Sequence, residues 1–303
     1  MTSWPCMLGG ILVVLEATAQ PPIAWMNISS PGTTFNSVEV KESTLPFDIK
    51  AGLVFVDATL NSVPGRYIVD TGAPGLILNQ KPGETSDLSG KGVTGAIAVE
   101  ETRVERFEIG QVRFEMLKAF RIDLSQLETR INSKIDGLIG YDVLREMEVV
   151  LDYPNRKITL LSPDNQVSTE NEPSGFVPFS LVNHLPVLEA QLGRREIALG
   201  LDTGAGANVL STAVGKPYRV KNNASGSLRG VDKKTRTSSV VQAPVVIEGY
   251  EGNGEELDYW LINLSSIRTD LERPIDGLLG FPFLKKGKWS INYRDQKVYF
   301  WLP

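Results

Sequence analysis

The sequence predicts an all-β protein built from two similar lobes. Three observations carry that reading. The chain contains itself twice, its apolar residues fall in short β-rich runs bounded by Gly, Pro and Asn turns, and helical periodicity is scarce. A length of 303 residues fits two domains of about 150 residues each. Residues 45–78 align without gaps with 177–210 at an offset of 132, and ten of the 34 positions are identical. A second block, 123–158 against 263–298, aligns at an offset of 140 with 11 of 36 identical. The change of offset places eight extra residues in the second half, between the two blocks.

Taken in order, residues 1–15 carry no charged side chain, and Met7 to Leu15 is almost wholly apolar before the small-x-small run Ala17-Thr18-Ala19. This reads as a secretory signal over 1–19, cleaved after Ala19, and implies export to a periplasm or the exterior. No other stretch approaches the length of a membrane span, so no stable membrane span is expected. An N-terminal segment covers 20–44, and the first lobe covers 45–165. Within it, Leu53 to Leu60 reads as a strand, Asn61 to Gly65 as a turn, and Tyr67 to Val69 as a strand leading into Asp70. Asp123 is a candidate N-cap for a short helix, a second short helix follows Gly140, and Val149 to Leu161 reads as a hairpin turning at Pro154-Asn155-Arg156. The polar run 166–175 reads as a linker. The second lobe, 176–303, repeats the pattern, with Asn263 as the matching N-cap and a hairpin from Trp289 to Leu302.

Composition removes whole classes of chemistry. The chain has one histidine, His184, and one cysteine, Cys6. No Cys/His zinc site and no intrachain disulfide can be built, and a Ser-His-Asp enzyme would have to use His184. His184 aligns with Gly52 in the other half, in a predicted turn, has no counterpart there, and is expected in a surface or turn role. A net charge of -5 argues against nucleic acid as a partner, because phosphate neutralisation needs clustered Lys and Arg. For a hydrolase, carboxylates are the expected chemical groups, and no metal or cofactor is expected.

The repeat supplies those carboxylates. Asp70-Thr71-Gly72-Ala73 meets Asp202-Thr203-Gly204-Ala205, each after a hydrophobic strand end. One such tripeptide is weak evidence, but two at equivalent positions of an internal repeat are strong. A pseudo-twofold axis between the halves would place Asp70 beside Asp202. Ile135-Asp136-Gly137-Leu138 likewise meets Ile275-Asp276-Gly277-Leu278, and Gly140 meets Gly280. Asp-Gly is a standard turn signal, so Asp136 and Asp276 are read as structural.

These motifs resemble the aspartic proteases of the pepsin/retropepsin clan, in which a hydrophobic-hydrophobic-Gly segment follows each Asp-Thr-Gly. Here those segments are Leu138-Ile139-Gly140 and Leu278-Leu279-Gly280. The compact halves and absence of paired cysteines make the chain similar to two retropepsin-like units in tandem, of a kind that resembles bacterial members. The resemblance implies two pseudo-symmetric retropepsin-like (acid protease) lobes with the active site between them. It implies an aspartic endopeptidase in which a water is activated between Asp70 and Asp202, supported by Thr71, Gly72, Thr203 and Gly204. The partner would be a peptide or protein substrate, and one chain would form the catalytic unit. The alternative is an inactive peptide-binding module of the same fold. One flap hairpin per lobe is expected, around Gly90 to Val99 and around Gly226 to Ser239. Many relatives carry Ser after Asp-Thr-Gly, whereas this chain has Ala73 and Ala205.

Overall fold

A computed structural model describes residues 42–80, 88–92, 95–162, 172–218, 220–229, 235–252, 256–264 and 274–302. The predicted signal segment and most of the 166–175 linker lie outside these residues, and Gly175 is the first residue of a strand. Nearly all regular structure is β, with four helices of one or two turns among the described residues.

Two of the three sheets are lobe sheets of matching order. The first runs Asp48–Lys50, Leu53–Leu60, Val63–Val69, Gly137–Ile139, Leu76–Asn79, Val112–Ile122, Gly95–Ile109 and Leu88–Gly92. The second runs Ser180–Val182, Leu185–Leu192, Arg195–Leu201, Gly277–Leu279, Val209–Ser211, Leu257–Ile262, Thr235–Ala243 and Val220–Arg229. In the first lobe the end of the long strand Gly95–Ile109 folds back onto Leu53–Leu60. In the second, Pro244 interrupts the corresponding strand, and the separate strand Val245–Ile247 makes that pairing. Proline has no N–H for a ladder bond, which accounts for the break.

The third sheet joins the lobes. Its six strands run Glu42–Pro46, Lys157–Leu161, Glu148–Asp152, Lys288–Asn292, Lys297–Trp301 and Gly175–Pro178. The central pair is antiparallel, with Val150 opposite Ser290, Glu148 opposite Asn292 and Asp152 opposite Lys288. At the repeat offset of 140 these positions exchange with one another, so the pseudo-twofold passes between Val150 and Ser290. Glu148 is buried there and accepts hydrogen bonds from Ser290 Oγ and Asn292 Nδ2.

Alternation along the strands sets the core. In Leu53–Leu60, Leu53 and Phe55 face a first-lobe cluster with Ile68, Ile77 and Leu138, whereas Val54, Val56 and Ala58 face the main core. Both faces are thus covered, and each fully buried Leu, Val or Phe contributes about 1.5–3 kcal/mol. The main core is continuous through both lobes, from Phe107 and Leu151 to Leu199 and Trp289. The two predicted hairpins form as Glu148–Asp152 with Lys157–Leu161 and Lys288–Asn292 with Lys297–Trp301. The first helix is Ser125–Ile131, with Leu124 rather than Asp123 at its N-cap. Asp123 Oδ1 instead accepts the Ser125 N–H in a local turn at 3.0 Å. Leu264, after Asn263, is in no regular element, and residues 265–273 lie outside the described ones.

One hairpin per lobe lies in sequence between Asp-Thr-Gly and the hydrophobic-hydrophobic-Gly segment. Leu88–Gly92 pairs with the start of Gly95–Ile109, Gly92 opposite Gly95. Val220–Arg229 pairs with Thr235–Ala243. Residues 93–94 and 230–234 lie outside the described residues. Among the described residues no helix is long and apolar enough to cross a membrane.

Candidate active site

Each Asp-Thr-Gly turn is held by its own lobe in the same way. Val69 pairs parallel to Ile139, and the Asp70 N–H donates to the Ile139 carbonyl at 2.9 Å. Leu201 pairs with Leu279, and the Asp202 N–H donates to the Leu279 carbonyl at 2.9 Å. The hydrophobic-hydrophobic-Gly segment therefore runs beside the strand that delivers each carboxyl. Its glycine is required by close approach: a Cβ at Gly140 would strike the carbonyls of Ala73 and Gly75, and one at Gly280 those of Ala205 and Ala207. Asp136 and Asp276 are structural, as read. Asp136 Oδ2 accepts the Arg66 N–H at 2.8 Å and Asp276 Oδ2 the Ala198 N–H at 3.2 Å, tying each segment to the neighbouring strand.

The turns meet across the lobes through the two threonines. The Thr71 N–H donates to Thr203 Oγ1 and the Thr203 N–H to Thr71 Oγ1, both at 3.0 Å. The Thr71 hydroxyl donates to the Leu201 carbonyl at 2.7 Å, and the Thr203 hydroxyl to the Val69 carbonyl at 2.8 Å. Four reciprocal bonds, all buried, fix one turn against the other. The glycines sit face to face with the opposite carboxyl. A Cβ on Gly72 would lie 2.9 Å from Asp202 Cγ, and one on Gly204 would overlap the Asp70 carboxyl. Asp70 and Asp202 are therefore neighbours, and both are fully buried.

One oxygen of each carboxyl is engaged and one is free. Asp70 Oδ1 accepts the Gly72 N–H at 2.9 Å, and Asp202 Oδ1 accepts the Gly204 N–H at 2.8 Å. Oδ2 of each is buried with no hydrogen-bond partner among the described residues. Desolvation pushes Asp70 well above the usual carboxylate range, and the charge of Asp202 pushes it further. Desolvation raises Asp202 too, while the Gly204 N–H and the neighbouring Asp70 and Gly72 act in the lowering direction. Two buried, adjacent carboxyls of raised pKa hold one proton between them more readily than none. Ala73 and Ala205, both buried, bring no hydroxyl to the free oxygens.

Aromatic residues frame the junction with the same symmetry. Tyr153 packs edge-on to Phe47 of its own lobe at 5.7 Å and against Phe281 of the other at 6.1 Å. Tyr293 does likewise with Phe179 at 5.9 Å and Tyr141 at 5.4 Å. Burial raises both phenols; the charge of Asp202 raises Tyr153 further, and those of Tyr141, Asp70 and Asp202 raise Tyr293 further, so both stay neutral.

Sequence reasoning did not place two residues at the site. Asn208 is fully buried, and its Oδ1 accepts the Gly280 N–H at 2.9 Å. In the first lobe the Gly75 carbonyl does this for Gly140, and the repeat partner of Asn208 is Leu76. A polar residue opposite an apolar one in the repeat was the available signal. The second is His184, expected in a surface or turn role. It is in the turn, but its side chain is buried, with Nε2 2.8 Å from the Gly72 carbonyl oxygen. The correction has a physical basis. The turn lies at the lobe junction, and the side chain points across it instead of into solvent.

Residues 56–143 match the model of the aspartyl protease family. That span takes in the first Asp-Thr-Gly and the first hydrophobic-hydrophobic-Gly segment. No curated protein sequence matches the chain significantly. Among solved structures, the fold is similar to that of an aspartic proteinase from Irpex lacteus, with a TM-score of 0.52 and 12% identity. The match covers 86% of this chain and 97% of that one.

Proposed function

From the premise that this chain has the all-β, two-lobed fold of the pepsin/retropepsin clan of aspartic proteases, we propose that it is an aspartic endopeptidase with Asp70 and Asp202 as its catalytic pair. The single observation that carries the proposal is the buried pair itself. Each carboxyl has one oxygen held by its own glycine N–H and one oxygen unpartnered, and both pKa values are raised. In this reading the ionised partner takes a proton from a water held between the carboxyls. That water attacks the scissile carbonyl, whose oxygen accepts a hydrogen bond from the protonated partner. The tetrahedral intermediate collapses as a proton passes to the departing amine. An extended peptide would lie between the lobes as an added strand, held mainly by main-chain hydrogen bonds.

The test is incubation of the purified protein with a mixed peptide library, with and without a statine-type inhibitor. Inhibitor-sensitive cleavage is the expected result. Peptides retained but uncut would favour the inactive peptide-binding alternative. Because both aspartates come from one chain, specific activity should hold on dilution from micromolar to nanomolar enzyme. Activity that falls with dissociation in sedimentation would contradict a monomeric unit.

The free Oδ2 atoms set an expected pH dependence. A hydroxyl donating to a carboxylate favours its charged form and lowers its pKa. Without such donors at Ala73 and Ala205, the pair keeps its shared proton to higher pH, and activity falls only as that proton leaves. The optimum should therefore be mildly acidic to near neutral, roughly pH 4.5–6.5. In Ala73→Ser/Ala205→Ser the alkaline limb of kcat/KM should move to lower pH. An unmoved limb in a folded, active double variant would show that these positions do not set the pair's titration.

A further inference from the structure

The two lobes differ at one place beside the active-site turns. In the first lobe the turn Ala51-Gly52 has both residues left-handed, at φ 52° and 81°, and a Cβ on Gly52 would lie 2.9 Å from Gly206 Cα. In the second, only Asn183 is left-handed, at φ 61°, and His184 is not. Two left-handed residues suit a type I′ turn and one at the first position a type II′ turn. The change re-aims the second residue, and the imidazole of His184 reaches across the junction to the first lobe's Gly72. A carbonyl oxygen only accepts, so Nε2 carries the hydrogen and the neutral ring leaves Nδ1 bare. Nδ1 is buried with no partner among the described residues. Desolvation lowers the imidazole pKa to about 4, which keeps the ring in this neutral donor form at the working pH.

We propose that His184 is a positioning residue for Asp70: by donating Nε2–H to the Gly72 carbonyl it holds the first active-site turn, and so the Gly72 N–H that bonds Asp70, in place. Gly52, at the position matching His184, carries no side chain and cannot brace the second turn in this way. The two aspartates are thereby inequivalent although their own motifs are identical. The inference rests on the endopeptidase reading for its kinetic consequence only, because the hydrogen bond and its effect on Asp70 can be read without turnover.

The experiment compares wild type, His184→Leu and His184→Gln, the last of which keeps an N–H donor. On one cleavable peptide, His184→Leu should lower kcat by about 10–100-fold with KM little changed, the scale of a misplaced reacting group. His184→Gln should recover most of that loss. A carboxyl ¹³C titration provides the readout without turnover. The Gly72 N–H lowers the Asp70 pKa. Loosening the turn should therefore raise it in the Leu variant and return it in the Gln variant; the other titrating groups around Asp70 are Asp202, Tyr153 beside Asp202, and Tyr293 with its neighbour Tyr141. With one histidine in the chain, the wild-type imidazole ¹⁵N spectrum should show a single neutral Nε2–H tautomer near pH 6. An unchanged Asp70 titration in a folded Leu variant, a Gln variant no better than Leu, or an imidazole exchanging freely between tautomers would each overturn the proposal. If the Leu variant does not fold, the Gln variant and the imidazole spectrum decide. Failure of wild type to cut any peptide would instead refute the endopeptidase reading.

Discussion

Asp70→Asn and Asp202→Asn are each expected to lower kcat by at least about 10³-fold, since each removes the group that takes or supplies a proton at the reacting centre. The double variant should be little worse than either single one, because the two carboxyls act as one unit and losing one already disables the other. The same substitutions should leave the fold intact and raise stability at neutral pH. Both carboxyls have pKa values raised in the folded chain, chiefly by desolvation. A raised pKa means that the carboxyl opposes folding as pH rises from its unfolded value, near 4, through its folded value. Asn carries no charge, so each variant should melt higher than wild type at pH 7 to 8, by a few °C. The gain should vanish toward pH 4, where wild type is also protonated. Activity on a good peptide and melting curves at the two pH values check both halves. A single variant with substantial turnover would defeat the assignment of the pair. A variant less stable than wild type at pH 7 would show that the buried charges are compensated by partners not apparent in the hydrogen bonding of the pair.

What the sequence made legible follows from where the two lobes do the same work. Each lobe must deliver a carboxyl from a strand end and carry a glycine segment past it. The repeated Asp-Thr-Gly and Asp-Gly-Leu-x-Gly runs therefore marked Asp70, Asp202, Gly140 and Gly280 directly, and the supporting role of Thr71 and Thr203 came with the resemblance. The hairpins of the joining sheet were legible because short β-rich runs flank obvious turns. Contacts at the junction that have no repeat partner were not legible. Glu148 meets Ser290 and Asn292, but their repeat counterparts are Lys288, Val150 and Asp152, so no self-comparison reveals the trio. His184 was hidden for a related reason. A two-residue turn is easily matched to its counterpart, but the backbone hand that aims its side chain is not written in residue types alone. Asn208 shows the intermediate case: it is polar where its repeat partner Leu76 is apolar, a signal present in the sequence, but its role depends on the chain path that brings Gly280 to it.

Gly204→Ala is expected to abolish activity by a route that leaves both carboxyls present. The position allows no side chain, because a Cβ there would overlap Asp70 Cγ and both carboxyl oxygens. The Asp70 carboxyl cannot simply rotate away, since Oδ1 is held by the Gly72 N–H and the turn around it is fully buried. The strain must instead separate the two turns. Thr203 is adjacent to Gly204, so that separation stretches the four threonine bonds that join the lobes at this point. Each buried hydrogen bond contributes roughly 0.5–1.5 kcal/mol net, and leaving a donor unpaired costs more, so destabilisation of about 2–4 kcal/mol is expected. The effect on turnover should exceed what stability explains, because a displacement of about 1 Å at reacting groups costs on the order of 10²-fold in rate. Gly72→Ala should act in the same direction but less severely, since its Cβ would lie 2.9 Å from Asp202 Cγ and a shift of a few tenths of an ångström relieves it. Melting temperature and kcat measured for both variants, at a temperature where each is folded, test the ordering. A Gly204→Ala enzyme with near-normal turnover would mean that the carboxyls do not pack against the opposing glycines during catalysis.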